Sequence, residues 1–453
     1  MGGATGEARV LGFAEALECV LRHSAGMRVA GTERVALLDL AGRVLAEEVK
    51  ADRDQPPFDR ASRDGFAVRA VEWMAGRRLR LMGQVRAGEV WRGGSIAAGE
   101  AVEIMTGAAV PMGADAVAMI EHAEQVRGEV WAALGRSLRA GENMVRRGSE
   151  ASKGDLLLEI GTTLGAAEIA MAAACGYAEI SIRKRPSVAI LATGDELVEL
   201  DEAPESHQIR NSNGYALAAL VEAAGGLAKR LAIAHDTRES LRERIAVGRG
   251  SDLLLLSGGV SVGEYDLVEE VLSEFGAEFF FTGVRMQPGR PVVFGRMPKA
   301  ASQRSSKSAS QQGAVLIGTG LSPSASDIKP HGALVPEGNG SGWTYFFGLP
   351  GNPVSTQVTF HCFVEPLLRA VCGAGAAGPR FVQATLAENV KGKKELTRIL
   401  PAILRHDLER PEVLIVRTQG SGDLAANARS NSYAVLPEGH DCKAGDVISV
   451  LLR

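Results

Sequence analysis

The sequence predicts a multidomain α/β protein: a central three-layer α/β domain with a mostly parallel sheet, an elongated helical and β scaffold domain, a small inserted β domain and a C-terminal β domain. Three observations predict it. Between positions 188 and 281, short apolar runs alternate with amphipathic segments at the spacing of right-handed βαβ units. The stretches 78–121 and 380–453 show short runs separated by glycine or asparagine turns, the pattern of small β domains. At 453 residues the chain has room for about three domains of ordinary size, each able to bury a core.

Composition narrows the class further. A hydrophobic content of 45% with 23% charged residues is that of a soluble globular protein. The net charge of −4 offers nothing to nucleic acid or an anionic membrane, so any anion has to be gripped locally. The amino terminus lacks a basic stretch followed by an apolar core, and no apolar run approaches membrane-spanning length. A cytoplasmic location is the expectation. The five cysteines are widely spaced without CxxC, which favours buried small side chains over disulfides or a zinc knuckle. The eight histidines form no ligand pair at helical spacing, and His361 reads as a core residue.

Taken in order, residues 12–46 read as two short helices around a turn, with Phe13, Leu17, Val20 and Leu21, then Leu37, Leu40, Val44 and Leu45 at helical spacing. With 151–184 they make the scaffold, residues 1–50 forming its first half. Residues 51–150 form the inserted β domain. Its first loop crowds Asp52, Asp54, Asp59 and Asp64 around the stiff Pro56-Pro57, and Asp64-Gly65 marks a tight turn. Thr106 lies in a glycine turn between two apolar segments, and Arg146-Arg147 reads as either a solvated loop or an anion clamp. Residues 163–176 return to helix, with Gly176 as the C-cap.

The α/β domain spans 185–373. Residues 188–192 form a strand ending in Thr193, Gly194, Asp195 and Glu196; 217–224 a helix; 231–234 a strand ending in His235 and Asp236; 241–247 a helix. Residues 253–256 are an unbroken apolar run suited to a central strand covered on both faces. Ser257, Gly258 and Gly259 turn the chain there, and Asp266 opens an amphipathic helix. The loop 286–291 with Gln287 and Arg290 follows the strand 279–281. Residues 299–342, rich in Ser, Gly, Ala and Gln, read as a flexible insertion in which only 315–317 resemble a strand. Order resumes at 345–347 and runs through Pro350, Asn352 as N-cap and Pro353 into a helix over 354–371. The literal GxGxxG at 373–378 follows a helix and lacks a preceding strand, so it reads as a hinge before the C-terminal domain, 374–453.

In an open α/β sheet, ligands bind beyond the carboxyl ends of the strands. Asp195, Glu196, Asp236 and Asp266 therefore converge on one crevice beside glycine turns whose bare backbone can meet a phosphate. Four carboxylates together call for a cation, and magnesium, which keeps several waters, is the hard cation that fits. The expected substrate is a phosphorylated or nucleotidyl compound bound through a divalent metal, with cleavage of a phosphoanhydride as the reaction.

The motifs PPFDRASRDGFAVRA, MTGAAVP, ATGDEL, SGGVSVGEYD, MQPGRPVVFG and GLPGNPVS stand in this order across most of the chain. Together they resemble the molybdopterin molybdenumtransferases, the family that includes the E domain of gephyrin. The resemblance implies a homodimer whose cleft lies between the α/β domain of one subunit and the small β domain of the other. There adenylylated molybdopterin is cleaved, AMP leaves and molybdate enters the dithiolene, with magnesium or a similar ion assisting.

Carried over by position, the catalytic set is Asp64, Glu196, Asp236 and Asp266, with Asp236 and Asp266 at the metal. Asp64 would act from the partner subunit on the molybdate side. Thr106, Glu150, Thr193, Gly194, Ser257, Gly258, Gly259, Ser261, Gln287, Arg290, Pro350, Asn352 and Pro353 would bind substrate. Glu150 stands where the family has an aspartate, Gln287 replaces a lysine, Arg290 replaces a second, and the insertion at 299–342 has no counterpart. These departures bear on molybdate affinity. Two other functions fit parts of the pattern: a molybdopterin adenylyltransferase, and a non-enzymatic gephyrin-like scaffold. Other proteins of molybdenum cofactor synthesis are expected partners; nucleic acid and membrane are not.

Overall fold

The computed structural model describes residues 9–27, 31–259, 267–300, 342–374, 378–405 and 410–453. It divides into two compact units. The first comprises Met1–Glu33, Gly42–Val44 and Ile182–Arg453, the second Arg34–Ala41 and Leu45–Ser181.

The first unit begins with α1 (Phe13–Ser24) and then follows the expected alternation: β1 (Ser187–Ala192), α2 (Ser212–Ala223), β2 (Leu227–Arg230), α3 (Arg238–Gly248), β3 (Leu253–Ser257), α4 (Leu267–Glu274), β4 (Glu278–Phe281), β5 (Val293–Pro298) and β6 (Trp343–Leu349). The six strands lie in the order β2-β1-β3-β6-β5-β4. The first three pairings are parallel and the last two antiparallel.

Strand β3 shows why the domain has three layers. All four leucines are fully buried, but Leu253 and Leu255 belong to one core cluster while Leu254 and Leu256 belong to another. Successive side chains of a strand point to opposite faces, so an unbroken apolar run requires cover on both. One cover is α3 and α4, through Leu241, Ile245, Val268 and Val271. The other includes α1, α2 and the helix after β6. That helix runs as α5 (Pro353–Thr359), a π turn (Phe360–Val364) and α6 (Glu365–Val371).

Three elements differ from expectation. Residues 37–45 are not a second helix: a strand, Thr32–Ala36, leads into a single 3-10 turn, Leu37–Asp39. Leu40, Val44 and Leu45 are buried at helix-like intervals, yet Gly42 at φ +74° turns the backbone between them. Helix α1, grouped by sequence with the scaffold, packs Ala16, Cys19 and Val20 into the first unit's core, with Phe13 and Phe363 rings 5.6 Å apart. An amphipathic stripe says that a helix has a partner without saying which. The strand expected at 231–234 lies earlier, at β2, where Leu227 to Arg230 pair with Ser187 to Ile190. It is an edge strand with no fully buried residue, so it has no apolar run to announce it.

Strands β5 and β6 also locate the insertion. Pro298 pairs with Trp343, and the Lys299 N–H donates to Gly342 O at 2.9 Å. The chain therefore leaves and returns at the end of the sheet remote from the carboxyl ends of β1, β3 and β6. Residues 301–341, including the strand expected at 315–317, lie outside the described residues.

The chain ends in β7 (Phe381–Leu386), β8 (Thr397–Arg405), β9 (Glu412–Ile415), α7 (Leu424–Arg429), β10 (Ser432–Leu436) and β11 (Val447–Leu452). Because β8 pairs with both β9 and β10, these five strands close into a barrel around Leu386, Leu404, Val413, Leu436 and Val450. Closure removes the exposed sheet edges.

The second unit carries a six-stranded sheet in which Gly65–Val68, fully buried, lies between Glu100–Ile104 and Ala116–Met119. The expected helix is there as Ala166–Ala174, closed by Gly176 at φ +80°. All five cysteines are free and buried. Among the described residues no helix is long and apolar enough to cross a membrane.

Candidate active site

Strands β1, β3 and β6 end side by side at Ala192, Ser257 and Leu349. Beyond them lies a cavity of about 530 Å³. Gly258 (φ +96°) makes it possible: a Cβ there would run into the Thr193 carbonyl oxygen. Thr193, Gly194, Glu196 and Asp236 line this cavity, as do Ser257, Gly258 and Gly259 on the β3 side. Pro350, Asn352 and Pro353 close it from the start of α5. Sequence reasoning placed all ten there.

The Thr193 hydroxyl donates to Asp236 Oδ1 at 2.7 Å, aiming that carboxylate. Asp195 does not line the cavity; its Oδ1 accepts the Asp236 N–H at 3.2 Å and lies 3.2 Å from His235 Nδ1. Asn352 occupies the N-cap position but makes no side-chain cap bond. Asp266 and Ser261 lie outside the described residues.

Asp195, Glu196 and Asp236 are all exposed. Water screens them, so the sequence argument that these carboxylates repel one another unless a cation is present does not hold for the free protein. The demand for a cation arises only when an anionic ligand displaces that water. Among the described residues no group of three or more His, Cys, Asp or Glu side chains is disposed to hold a metal. Two carboxylates on one cavity, Glu196 and Asp236, still suit magnesium, which binds through one or two carboxylates plus substrate phosphates and keeps waters.

A second cavity, about 560 Å³, shares Pro291, Pro350 and Asn352 with the first. Gln287 and Arg290 line it from one side and Arg398 of β8 from another, with Ser355 of α5 and the barrel loop 418–421. Its lining includes no Asp or Glu. Among the described residues no ion pair engages Arg290 or Arg398, and Arg398 Nε is enclosed without a partner. The parallel pairing of Met286 and Gln287 with Thr397 and Arg398 brings this loop against the barrel.

Sequence reasoning missed Arg398 and the loop 418–421 because nothing local marks them. It also missed Arg210 and Asn213 in the first cavity. Asn213 Nδ2 donates to Ser257 Oγ at 2.9 Å and to Gly351 O at 2.7 Å, bracing two of the turns. The polar run RNSN before a helix was the available signal.

Asp64, Thr106 and Glu150 belong to the second unit. Asp64 Oδ1 accepts both the Thr106 hydroxyl at 2.6 Å and the Thr106 N–H at 2.7 Å. These bonds hold the Asp64 carboxyl below the usual carboxylate range. Glu150 pairs with Arg60 at 2.9 Å. Arg146 and Arg147 are not a vacant anion clamp: they pair with Asp59 and Asp54, each at 2.8 Å. The crowded acidic loop is thus matched by the arginine pair. His361 is buried as expected, its Nδ1 2.8 Å from Glu365 Oε2, but its Nε2 has no partner.

Comparison with known proteins matches three successive regions of the chain. Residues 11–176 match the family described as MoeA N-terminal region (domain I and II). Residues 189–370 match a probable molybdopterin binding domain, and 383–452 the MoeA C-terminal region (domain IV). A molybdopterin molybdenumtransferase of Staphylococcus aureus is 30% identical over 428 residues, covering 92% of this chain and 90% of that protein. One of Staphylococcus epidermidis is 29% identical over 420 residues, 91% and 88% of the two chains. The crystal structure of a molybdopterin biosynthesis MoeA protein from Pyrococcus horikoshii is similar at a TM-score of 0.73 and 25% identity, covering 98% of this chain and 100% of that one.

Proposed function

The chain belongs to the molybdopterin molybdenumtransferase family, and from that premise we propose that it inserts molybdate into adenylylated molybdopterin with release of AMP. It is a transferase of molybdenum cofactor biosynthesis. The observation that carries the detailed reading is the pair of adjoining cavities. One has glycine turns and carboxylates, the chemistry of a metal-bridged diphosphate. Its neighbour has two arginines and no acid, the chemistry of a small oxyanion. Their common wall of Pro291, Pro350 and Asn352 brings the two substrates within reach of each other.

In this reading the Ser257-Gly258-Gly259 backbone receives the diphosphate, and Thr193 keeps one oxygen of Asp236 occupied so that the other faces the ligand. Asp236 and Glu196 would hold a divalent cation such as magnesium, with Asp266 as a further ligand. When bound, that ion supplies neutralisation of the diphosphate charge. Arg290 and Arg398 draw molybdate into the second cavity. Gln287, where the family has a lysine, leaves that cavity one positive charge weaker.

The wider organisation is part of the same proposal. A four-part organisation is supported by the domain numbering of the matched regions: 51–150, 185–373, 374–453, and a scaffold of 1–50 with 151–184 whose α1 packs on the core of the first unit. A cytoplasmic homodimer, with Asp64 and Thr106 acting from the partner subunit, is what the family resemblance supports. An adenylyltransferase built from one α/β domain would leave 11–176 and 383–452 without a role. Incubation of the purified protein with adenylylated molybdopterin, magnesium and molybdate tests the proposal. Molybdate-dependent AMP release supports it; ATP consumption points to adenylyl transfer, and neither points to a scaffold.

A further inference from the structure

The α5–α6 helix and the barrel meet through apolar side chains: Val358, Phe360 and Phe363 share a core cluster with Ile399, Tyr433 and Leu451. Such contact is non-directional, so it holds the parts together without setting their register. A buried polar group lies within it. Asn427 is 2% exposed, Gln357 8% and Tyr433 0%. Asn427 Nδ2 donates to Gln357 Oε1 at 2.8 Å, and the Tyr433 hydroxyl donates to Asn427 Oδ1 at 3.0 Å. Arg453, which can only donate, lies 3.5 Å from Gln357 Oε1 through Nη2. That contact identifies the Gln357 oxygen and, through it, the orientation of the Asn427 amide. Burial pushes the Tyr433 phenol up to about 12, so its hydroxyl remains a donor at neutral pH.

Both partners sit one short step from the cavities. Gln357 is in α5, whose first residues, Val354 and Ser355, wall the second cavity. Asn427 is in α7, directly after the barrel loop, whose Thr418 to Ser421 line the second cavity and whose Gly422 lines the first. Asp423 closes the loop, accepting the Gln419 N–H at 3.1 Å and the Ala426 N–H at 2.9 Å. The Val354 N–H donates to Ser421 O at 3.0 Å, so the loop rests on the start of α5.

We infer that Gln357 and Asn427 are positioning residues: their buried hydrogen bond sets where the loop 418–422 stands against α5, and so the shape of the oxyanion cavity. Neither touches substrate. The inference rests on the function proposed above. Only Gly422 of the loop reaches the first cavity, so the effect falls mainly on the oxyanion side.

The test uses the full-length protein, with AMP release measured against molybdate and against adenylylated molybdopterin separately. Gln357→Leu removes the acceptor at nearly constant volume. It is expected to raise KM for molybdate by up to about tenfold, the scale of one well-aligned hydrogen bond lost at the cavity, with a smaller change in KM for adenylylated molybdopterin and in kcat. Gln357→Glu keeps an acceptor for Asn427 and Arg453 and is expected to restore the molybdate KM. A folded Gln357→Leu variant with unchanged molybdate KM overturns the inference, as does a Glu variant no better than Leu. Should Gln357→Leu fail to fold, Gln357→Met, which removes the same acceptor with a flexible chain of similar length, carries the test: molybdate KM rises, or the inference falls. A wild-type protein that releases no AMP overturns the proposed function and this inference together; an active wild type with unaffected variants overturns only the latter.

Discussion

Thr106 holds one carboxylate oxygen of Asp64 twice, through its hydroxyl at 2.6 Å and its N–H at 2.7 Å. The two residues stand in separate motifs 42 positions apart, and their contact joins them into one group. Because the hydroxyl and N–H favour the ionised carboxylate, the Asp64 pKa is depressed in the folded state. Its contribution is therefore present above the unfolded value of about 3.9 and is lost as pH falls through the lower folded value. Thr106→Val should raise the Asp64 midpoint, followed by carboxyl NMR. An unmoved midpoint would remove the pairing as the cause. At neutral pH Asp64 stays ionised in both proteins.

Under the proposed function, the Thr193 hydroxyl that donates to Asp236 would orient it as an outer-shell partner orients a metal ligand. Thr193→Val should keep the fold and weaken magnesium-dependent AMP release by about 10- to 100-fold. Asp236→Asn should cost more. Magnesium titrations of both variants that overlay the wild type would remove Asp236 from the metal site.

In the second cavity, Arg398→Gln deletes one of two cations facing no acid. A hydrogen bond to a charged group is worth about 1.5–3 kcal/mol, so molybdate KM should rise by about 10- to 100-fold. Gln287→Lys restores the residue that the family resemblance leads one to expect and should lower it. Isothermal titration with molybdate checks both directions, and an affinity indifferent to either change would mean the oxyanion binds elsewhere.

The double-faced sheet makes a stability prediction. Leu255 is fully buried between β1 and β6. Leu255→Ala should cost about 2–5 kcal/mol, the lost transfer energy plus the cavity left behind. Denaturant unfolding followed by circular dichroism measures it, and a loss below about 1 kcal/mol would show that the sheet repacks.

Local chemistry by itself determined much of this protein. An apolar run with turns at both ends commits β3 to a covered strand, and Gly258 serves a bend that a side chain would obstruct. The six ordered motifs resemble the family to which the chain belongs. Edge strand β2 escaped notice because half-solvated residues carry no apolar signature. Only tertiary structure decided the rest. It set α1 against the sheet instead of the scaffold, turned Arg146 and Arg147 into partners of Asp59 and Asp54, and brought Arg398 and the barrel loop beside Arg290. Those outcomes depend on contacts between residues far apart in the chain, where packing and charge pairing act on distance in space and leave no period or spacing in the sequence.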